Sequence, residues 1–103
     1  MLDKTLLLKA VSDYEPYTKS QKKMLKLLVS LSIDNHVTIS CSYIMENLDL
    51  SRPTVYFNLK KFERDGFITR VNTMNKQDEF VLHPEKLEYI YKLYQIKLAM
   101  RND

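Results

Sequence analysis

Leu48 to Arg70 reads LDLSRPTVYFNLKKFERDGFITR, and its order of residue types describes a helix that runs directly into a strand. Ser51 is a preferred N-cap, its hydroxyl placed to accept from an orphan amide of the first turn. Pro53 falls within that turn, where its missing N–H removes no intrahelical bond. Val55, Leu59 and Phe62 follow at spacings of four and three, so they share one face and point into a core. Gly66 ends the helix, as the residue that most readily takes the left-handed C′ conformation. Phe67, Ile68, Thr69, Arg70 and Val71 then mix aromatic and β-branched residues in the manner of a strand. The reading predicts a capped helix from Ser51 to Gly66 with a strand immediately after it.

Turning that helix at about 100° per residue places Pro53, Phe57, Lys60 and Arg64 farthest from the apolar stripe, with Tyr56 and Lys61 flanking them. From Ser51 to Lys76 there are six bases and two acids, a net charge of +4 in a chain whose total is +3. Everything outside the window therefore sums to −1. A localised positive surface is the electrostatic footprint of a protein that docks on phosphates.

The segment LSRPTVYFNLKKFERDGFITR resembles the recognition helix and wing of winged helix-turn-helix transcriptional regulators, the broad group that includes the MarR-like proteins. The resemblance covers roughly Thr38 to His83, with a weaker architectural likeness in the flanking helices. Cys41 to Leu48 fits the helix that precedes the recognition helix, with Asp49, Leu50 and Ser51 as the turn. Leu50 and Ser51, Thr54 and Val55, Leu59, Gly66 and Ile68 follow the family's pattern. The implied fold is mainly α with a small β-hairpin wing, a winged helix-turn-helix carrying additional N- and C-terminal helices. The implied partner is double-stranded DNA, bound in a sequence-specific manner. Tyr56 and Phe57 depart from the small, polar or basic residues that members often carry there. Phe57 neither donates nor accepts; it either meets a thymine methyl in the major groove or lies under a neighbouring helix or partner chain, as large aromatics commonly do.

Outward from this centre, Leu2, Leu6, Leu7, Ala10, Val11 and Tyr14 keep helical spacing and predict a helix over Asp3 to Asp13. Pro16 then breaks the chain at Glu15 to Tyr17. A second helix is expected from about Thr18 to Ser32, with Met24, Leu27, Leu28 and Leu31 inward. Lys19, Lys22, Lys23 and Lys26 lie on its other faces, where a solvated surface is the commoner explanation than phosphate contact. Asp34, Asn35 and His36 form a polar turn, Val37 to Ile39 a short strand able to pair with the wing, and Ser40 an N-cap. Ile44, Met45 and Leu48 give the next helix its inner stripe. Phe67 to Asn72 and Glu79 to His83 are the wing strands around a polar turn, Thr73 to Asp78, with its tip near Asn75 and Lys76. Arg70 on the shaft and Lys76 at the tip are placed for the phosphate backbone or the minor groove.

Pro84 to Asn102 predicts a last helix with two apolar stripes. Leu87, Ile90, Tyr91, Tyr94 and Leu98 cluster on one side; Tyr89, Leu93, Ile96 and Met100 lie nearly opposite. A helix that is apolar on two sides must be covered on two sides. The expected cover is a second copy, with Leu6, Leu7, Tyr89, Leu93, Ile96 and Met100 at an isologous interface. Two recognition helices related by a two-fold axis then read half-sites about 34 Å, or roughly 10 bp, apart, as an inverted repeat. Arg52, Thr54 and Tyr56 near the helix N-terminus are the expected base-edge contacts, with Pro53 and Phe57 as apolar ones and the capping Ser51 among the DNA-binding residues. Lys60, Lys61 and Arg64 would hold phosphates.

The 103 residues suit one domain, divided into an N-terminal helix (1–15), a winged core (17–83) and a C-terminal helix (84–103). One glycine leaves no phosphate loop or dinucleotide fingerprint. Met1 to Tyr14 lacks a basic leader, and nothing approaches the roughly 18 apolar residues of a membrane span, so a cytoplasmic location is expected. The single Cys excludes an internal disulfide. Cys41 at a helix N-terminus has its thiolate favoured, yet with no resolving Cys a small buried hydrophobe is the simpler role. His36, His83 and Cys41 lack the spacing of a structural zinc site, and no nucleophile signature points to an enzyme. No cofactor and no small-molecule effector is expected. The rival readings are a plasmid or phage replication factor and a winged-helix protein-interaction module.

Overall fold

The computed structural model describes residues 3–74 and 77–101, with side chains for all of these but 72–74. Five helices and three strands run among them in the order α1 (Lys4–Ser12), α2 (Lys19–Leu31), β1 (His36–Ser40), α3 (Cys41–Leu48), α4 (Arg52–Arg64), β2 (Ile68–Met74), β3 (Gln77–Leu82) and α5 (Pro84–Arg101). No helix among the described residues is long and apolar enough to cross a membrane.

The starts of α1 to α4 are each chosen by a side chain that satisfies an orphan amide. Asp3, Thr18, Ser40 and Ser51 cap α1 to α4 in turn. At α2 the cap is reciprocal: Thr18 Oγ1 accepts from the Gln21 amide at 3.3 Å, and Gln21 Oε1 accepts from the Thr18 amide at 3.0 Å. This capping box is why the second helix begins immediately after the break at Pro16. Helix α4 ends in a Schellman arrangement, with the Phe67 amide donating to Phe62 O at 2.9 Å and the Gly66 amide to Glu63 O at 3.2 Å. Gly66 has φ of +83° there, the left-handed conformation that the sequence reading assigned to it.

The sheet is antiparallel in the order β1-β3-β2. Val37 pairs with Phe80 and Ile39 with Asp78, so β1 does join the wing, through its return strand. A bulge between Arg70 and Asn72 interrupts the β2–β3 ladder, leaving Val71 exposed. Before β1, Asp34 and Asn35 both take positive φ (52° and 65°), as the two central residues of a tight I′-type turn do. The return strand spans Gln77–Leu82 rather than the expected Glu79 to His83, because pairing with β1 reaches back to Gln77. The expected wing tip, Asn75 and Lys76, lies outside the described residues.

The core gathers Met24, Leu25, Leu28 and Val29 of α2, Ile44 of α3, Val55, Leu59 and Phe62 of α4, the sheet residues Val37, Ile39, Ile68, Phe80 and Leu82, and Leu87 and Ile90 of α5. Three expectations are corrected. Leu31 is exposed, because Leu25 and Val29 take the inner positions of α2. Leu7, expected at a dimer interface, is in the core with Ala10 and Val11, while its neighbour Leu6, about a quarter-turn around the helix, is exposed. Leu98, expected inward, is exposed: α5 is 18 residues long, about 27 Å at 1.5 Å per residue, and its second half outruns the core. The molecule is correspondingly elongated, 51 × 26 × 22 Å.

A Cβ on Gly66 would meet nothing within 4 Å, so the cost of Gly66→Ala is purely that of holding an L-residue at φ of +83°. Urea denaturation is expected to show a loss of about 1 kcal/mol for Gly66→Ala and a smaller loss for Gly66→Asn, which tolerates this region better. Equal losses for the two would contradict this account of the helix end.

Candidate nucleic-acid interface

Helix α3, the turn at Asp49 to Ser51, and α4 form the helix-turn-helix. Asp49 takes the left-handed conformation (φ 54°) that closes α3. Ser51 then opens α4, its hydroxyl accepting from the Thr54 amide at 3.4 Å and lying 2.9 Å from the Thr54 hydroxyl. The two hydroxyls near the helix start are thus tied to each other, and Thr54 is half-buried.

The roll of α4 is set by its inner stripe: Val55, Asn58, Leu59 and Phe62 are all buried. Asn58 is the member that the apolar pattern overlooks. It is 2 % exposed, and its amide donates to Ser20 Oγ at 3.3 Å and to Met24 Sδ at 3.2 Å. Its position three after Val55 and four before Phe62 was the available signal, since those spacings define one helix face.

With that stripe inward, Arg52, Pro53, Tyr56, Phe57, Lys60 and Arg64 are exposed on the outside. Phe57 is 61 % exposed, so its ring is left open among the described residues, whereas Tyr56, 41 % exposed, is partly covered. Arg52, Lys60 and Arg64 take part in no ion pair among the described residues. The other two basic candidates have internal partners. Lys61 lies 3.5 Å from Asp65 and 5.6 Å from the centre of the Tyr17 ring. Arg70 sits between Glu63 and Asp78, 3.8 Å from each, over the Phe80 ring. Lys76 lies outside the described residues. Beside this outer face, Cys41, Ser42, Arg52, Tyr56 and Asp78 line a cleft of about 350 Å³.

The C-terminal end of α4 is fastened by Tyr17, which lies in the link between α1 and α2. Tyr17 is buried; its ring centre is 5.0 Å from Tyr14 and 5.4 Å from both Phe62 and Phe67. Its hydroxyl donates to Asp65 Oδ2 at 2.7 Å. Burial above all, and then the bond to Asp65, hold the phenol far above its ordinary range, because ionisation would strand a second negative charge beside a carboxylate.

The remaining candidates for chemistry are dispersed. His36 pairs with Glu79 at 3.2 Å, His83 lies 2.6 Å from the Thr69 hydroxyl, and Cys41 is half-buried against the core. No three metal-binding side chains come together among the described residues.

No protein-family model and no curated protein matches this chain. Among solved structures it is similar to MepR, a transcription regulator of the Staphylococcus aureus multidrug efflux pump MepA. That likeness has a TM-score of 0.57 at 21% identity and covers 94% of this chain and 76% of MepR. It is also similar to RV1404 from Mycobacterium tuberculosis, with a TM-score of 0.55 at 9% identity over 94% of this chain and 69% of that one. The likeness shows the fold: a winged helix, mostly helical with a small antiparallel sheet.

A phenol that holds its proton more tightly when folded contributes stability that is complete below its unfolded pKa, near 10.0, and is lost as pH rises above that value. Folding stability is therefore expected to fall above about pH 10 with a slope near 1.4 kcal/mol per pH unit for such a group. Tyr14, raised mainly by its own burial, adds a smaller part. In Tyr17→Phe the alkaline slope should be shallower, and stability at neutral pH lower by about 1.5 kcal/mol for the lost charged hydrogen bond. Parallel stability–pH curves for wild type and variant would refute the role given to the hydroxyl.

Proposed function

We propose that this chain is a transcriptional regulator that binds double-stranded DNA as a homodimer, each protomer setting α4 in the major groove of one half of an inverted repeat. The observation that carries the reading is the outward face of α4, where Arg52, Lys60 and Arg64 stand exposed and without ion-pair partners among the described residues. Exposed cations along one helix face are what a polyanion recognises. The fold shared with a transcription regulator supports the same reading.

In this arrangement Ser51, Arg52, Pro53, Thr54, Tyr56 and Phe57 belong to the base-reading end and Lys60 and Arg64 to the phosphate-holding end. Lys61 and Arg70, already offset by Asp65, Glu63 and Asp78, contribute less to phosphate contact than their charge implies. Lys76 is assigned to the wing's contact with the backbone by its sequence position alone.

The dimer rests on the outer side of α5. Tyr89, Ile96 and Met100 are exposed, Ile96 at 56 % and Met100 at 69 %, and Leu93 is half-buried. Leu6 of α1 is exposed as well, whereas Leu7 drops out because it is buried within its own domain. Lys97 reaches Asp13 at 3.3 Å and Glu15 at 3.1 Å, and Arg101 reaches Asp13 at 3.5 Å. These pairs fasten the projecting part of α5 to the end of α1, and the two helices together are the surface proposed to meet a second copy.

Converting Lys60 and Arg64 together to Ala is expected to weaken binding to all duplexes alike. Across the four sites of a dimer, the slope of log affinity against log salt should fall by about 3.6, at 0.9 per phosphate contact. An unchanged slope in fluorescence anisotropy titrations would remove these residues from the interface. Replacing Ile96 and Met100 together by Glu should turn a dimer into a folded monomer in sedimentation equilibrium; a wild-type chain that is strictly monomeric at high concentration would end the dimer proposal.

A further inference from the structure

We propose that Phe57, with Tyr56 beside it, reads the 5-methyl group of a thymine in each half-site; the inference rests on the DNA-binding reading above and adds to it the identity of a recognised base. Phe57 is the most exposed aromatic ring among the described residues. A ring left in water on a well-packed domain is unusual for phenylalanine and marks a contact surface more readily than a structural role.

The surroundings of Phe57 select the partner. Pro53 lies one turn before it, Lys60 one turn after and Arg64 two turns after, all on the same helix face and all exposed. A ring framed by cations is brought to a polyanion, not to an apolar protein surface. Within the major groove the apolar feature offered by a base edge is the thymine C5-methyl group.

Polar readout is correspondingly depleted at this face. Asn58, the side chain in α4 able to form the paired amide contact with adenine, is buried and held by Ser20 and Met24. The Thr54 hydroxyl is occupied with Ser51 at 2.9 Å. Arg52 and the Tyr56 hydroxyl remain as exposed donors at the helix start, with Phe57 next along. The expected half-site therefore combines one hydrogen-bonded position with a thymine that is sensed by its methyl group.

Deoxyuridine isolates that group, since it pairs as thymine does and lacks only the methyl. A duplex obtained by selection from a random pool is substituted one thymine at a time, and binding of the full chain is measured by anisotropy. Wild type should lose about fourfold in affinity at one thymine per half-site, the worth of one buried methyl-sized group. Phe57→Ala, at an exposed position whose folding is checked by melting temperature, should bind thymine and uracil duplexes equally. Specific binding that is indifferent to every such substitution, or methyl discrimination that survives in Phe57→Ala, overturns the inference and leaves the DNA-binding reading standing. The first of these results, with Phe57→Ala binding DNA as wild type does, would assign the aromatic pair to a protein partner. A wild-type chain that binds no duplex at low salt overturns both.

Discussion

The hydrogen bond from Tyr17 to Asp65 is the constraint on which the geometry of the outward face depends. Hydrophobic burial pulls α4 onto the core, but it is non-directional, and a helix with an apolar stripe can roll by tens of degrees at little loss of buried area. Polar contacts with fixed geometry remove that freedom. Tyr17 ties the C-terminal cap of α4 to the link between α1 and α2, and Asn58 ties its middle to Ser20 and Met24 of α2. Two bonds about two helical turns apart define both the roll and the tilt of the helix. The aromatic packing of Tyr14, Tyr17, Phe62 and Phe67 supplies the stiffness around them.

The charge of the same region divides into two uses that a net count merges. Lys61 and Arg70 are matched by Asp65, Glu63 and Asp78, and their value is local: Lys61 lies over the Tyr17 ring and Arg70 over Phe80, joining the end of α4 to the wing. Such exposed pairs are individually worth little, but they place the acids where they offset those two cations and leave Arg52, Lys60 and Arg64 with no carboxylate at ion-pair distance among the described residues. A window with net +4 thus becomes a smaller, better defined positive stripe along one side of α4.

The parts of this fold that were legible in the sequence are those decided by local chemistry. Ser51 and Gly66 bound α4 because a cap hydroxyl and a left-handed residue act within one turn, and α3 begins at Cys41 because Ser40 caps it. The parts that were not legible are those decided by what lies across the core. Asn58 has the spacing of the inner stripe, but the partners of its amide appear only once Ser20 and Met24 are placed opposite it. Leu31 reads as inner until Leu25 and Val29 take the inner positions of α2, whereas Leu98 continues its stripe past the point where the core ends. Leu7 and Leu6 are adjacent leucines distinguished only by the roll of α1, which Ala10 and Val11 settle.

The segment from Asp13 to Tyr17 connects these observations. At one end Asp13 receives Lys97 and Arg101 from the projecting half of α5; at the other Tyr17 holds the cap of α4. The interval is a short link containing Pro16, whose fixed φ leaves it few ways to adjust. Any displacement of the far end of α5 relative to α1 would act on Asp13 and be passed, through a stiff connection of five residues, to the phenol that orients α4. In the proposed dimer the surface that joins two copies and the contact that aims each reading helix therefore share one piece of backbone. In that proposal the spacing between half-sites and the presentation of Phe57 depend on the same element.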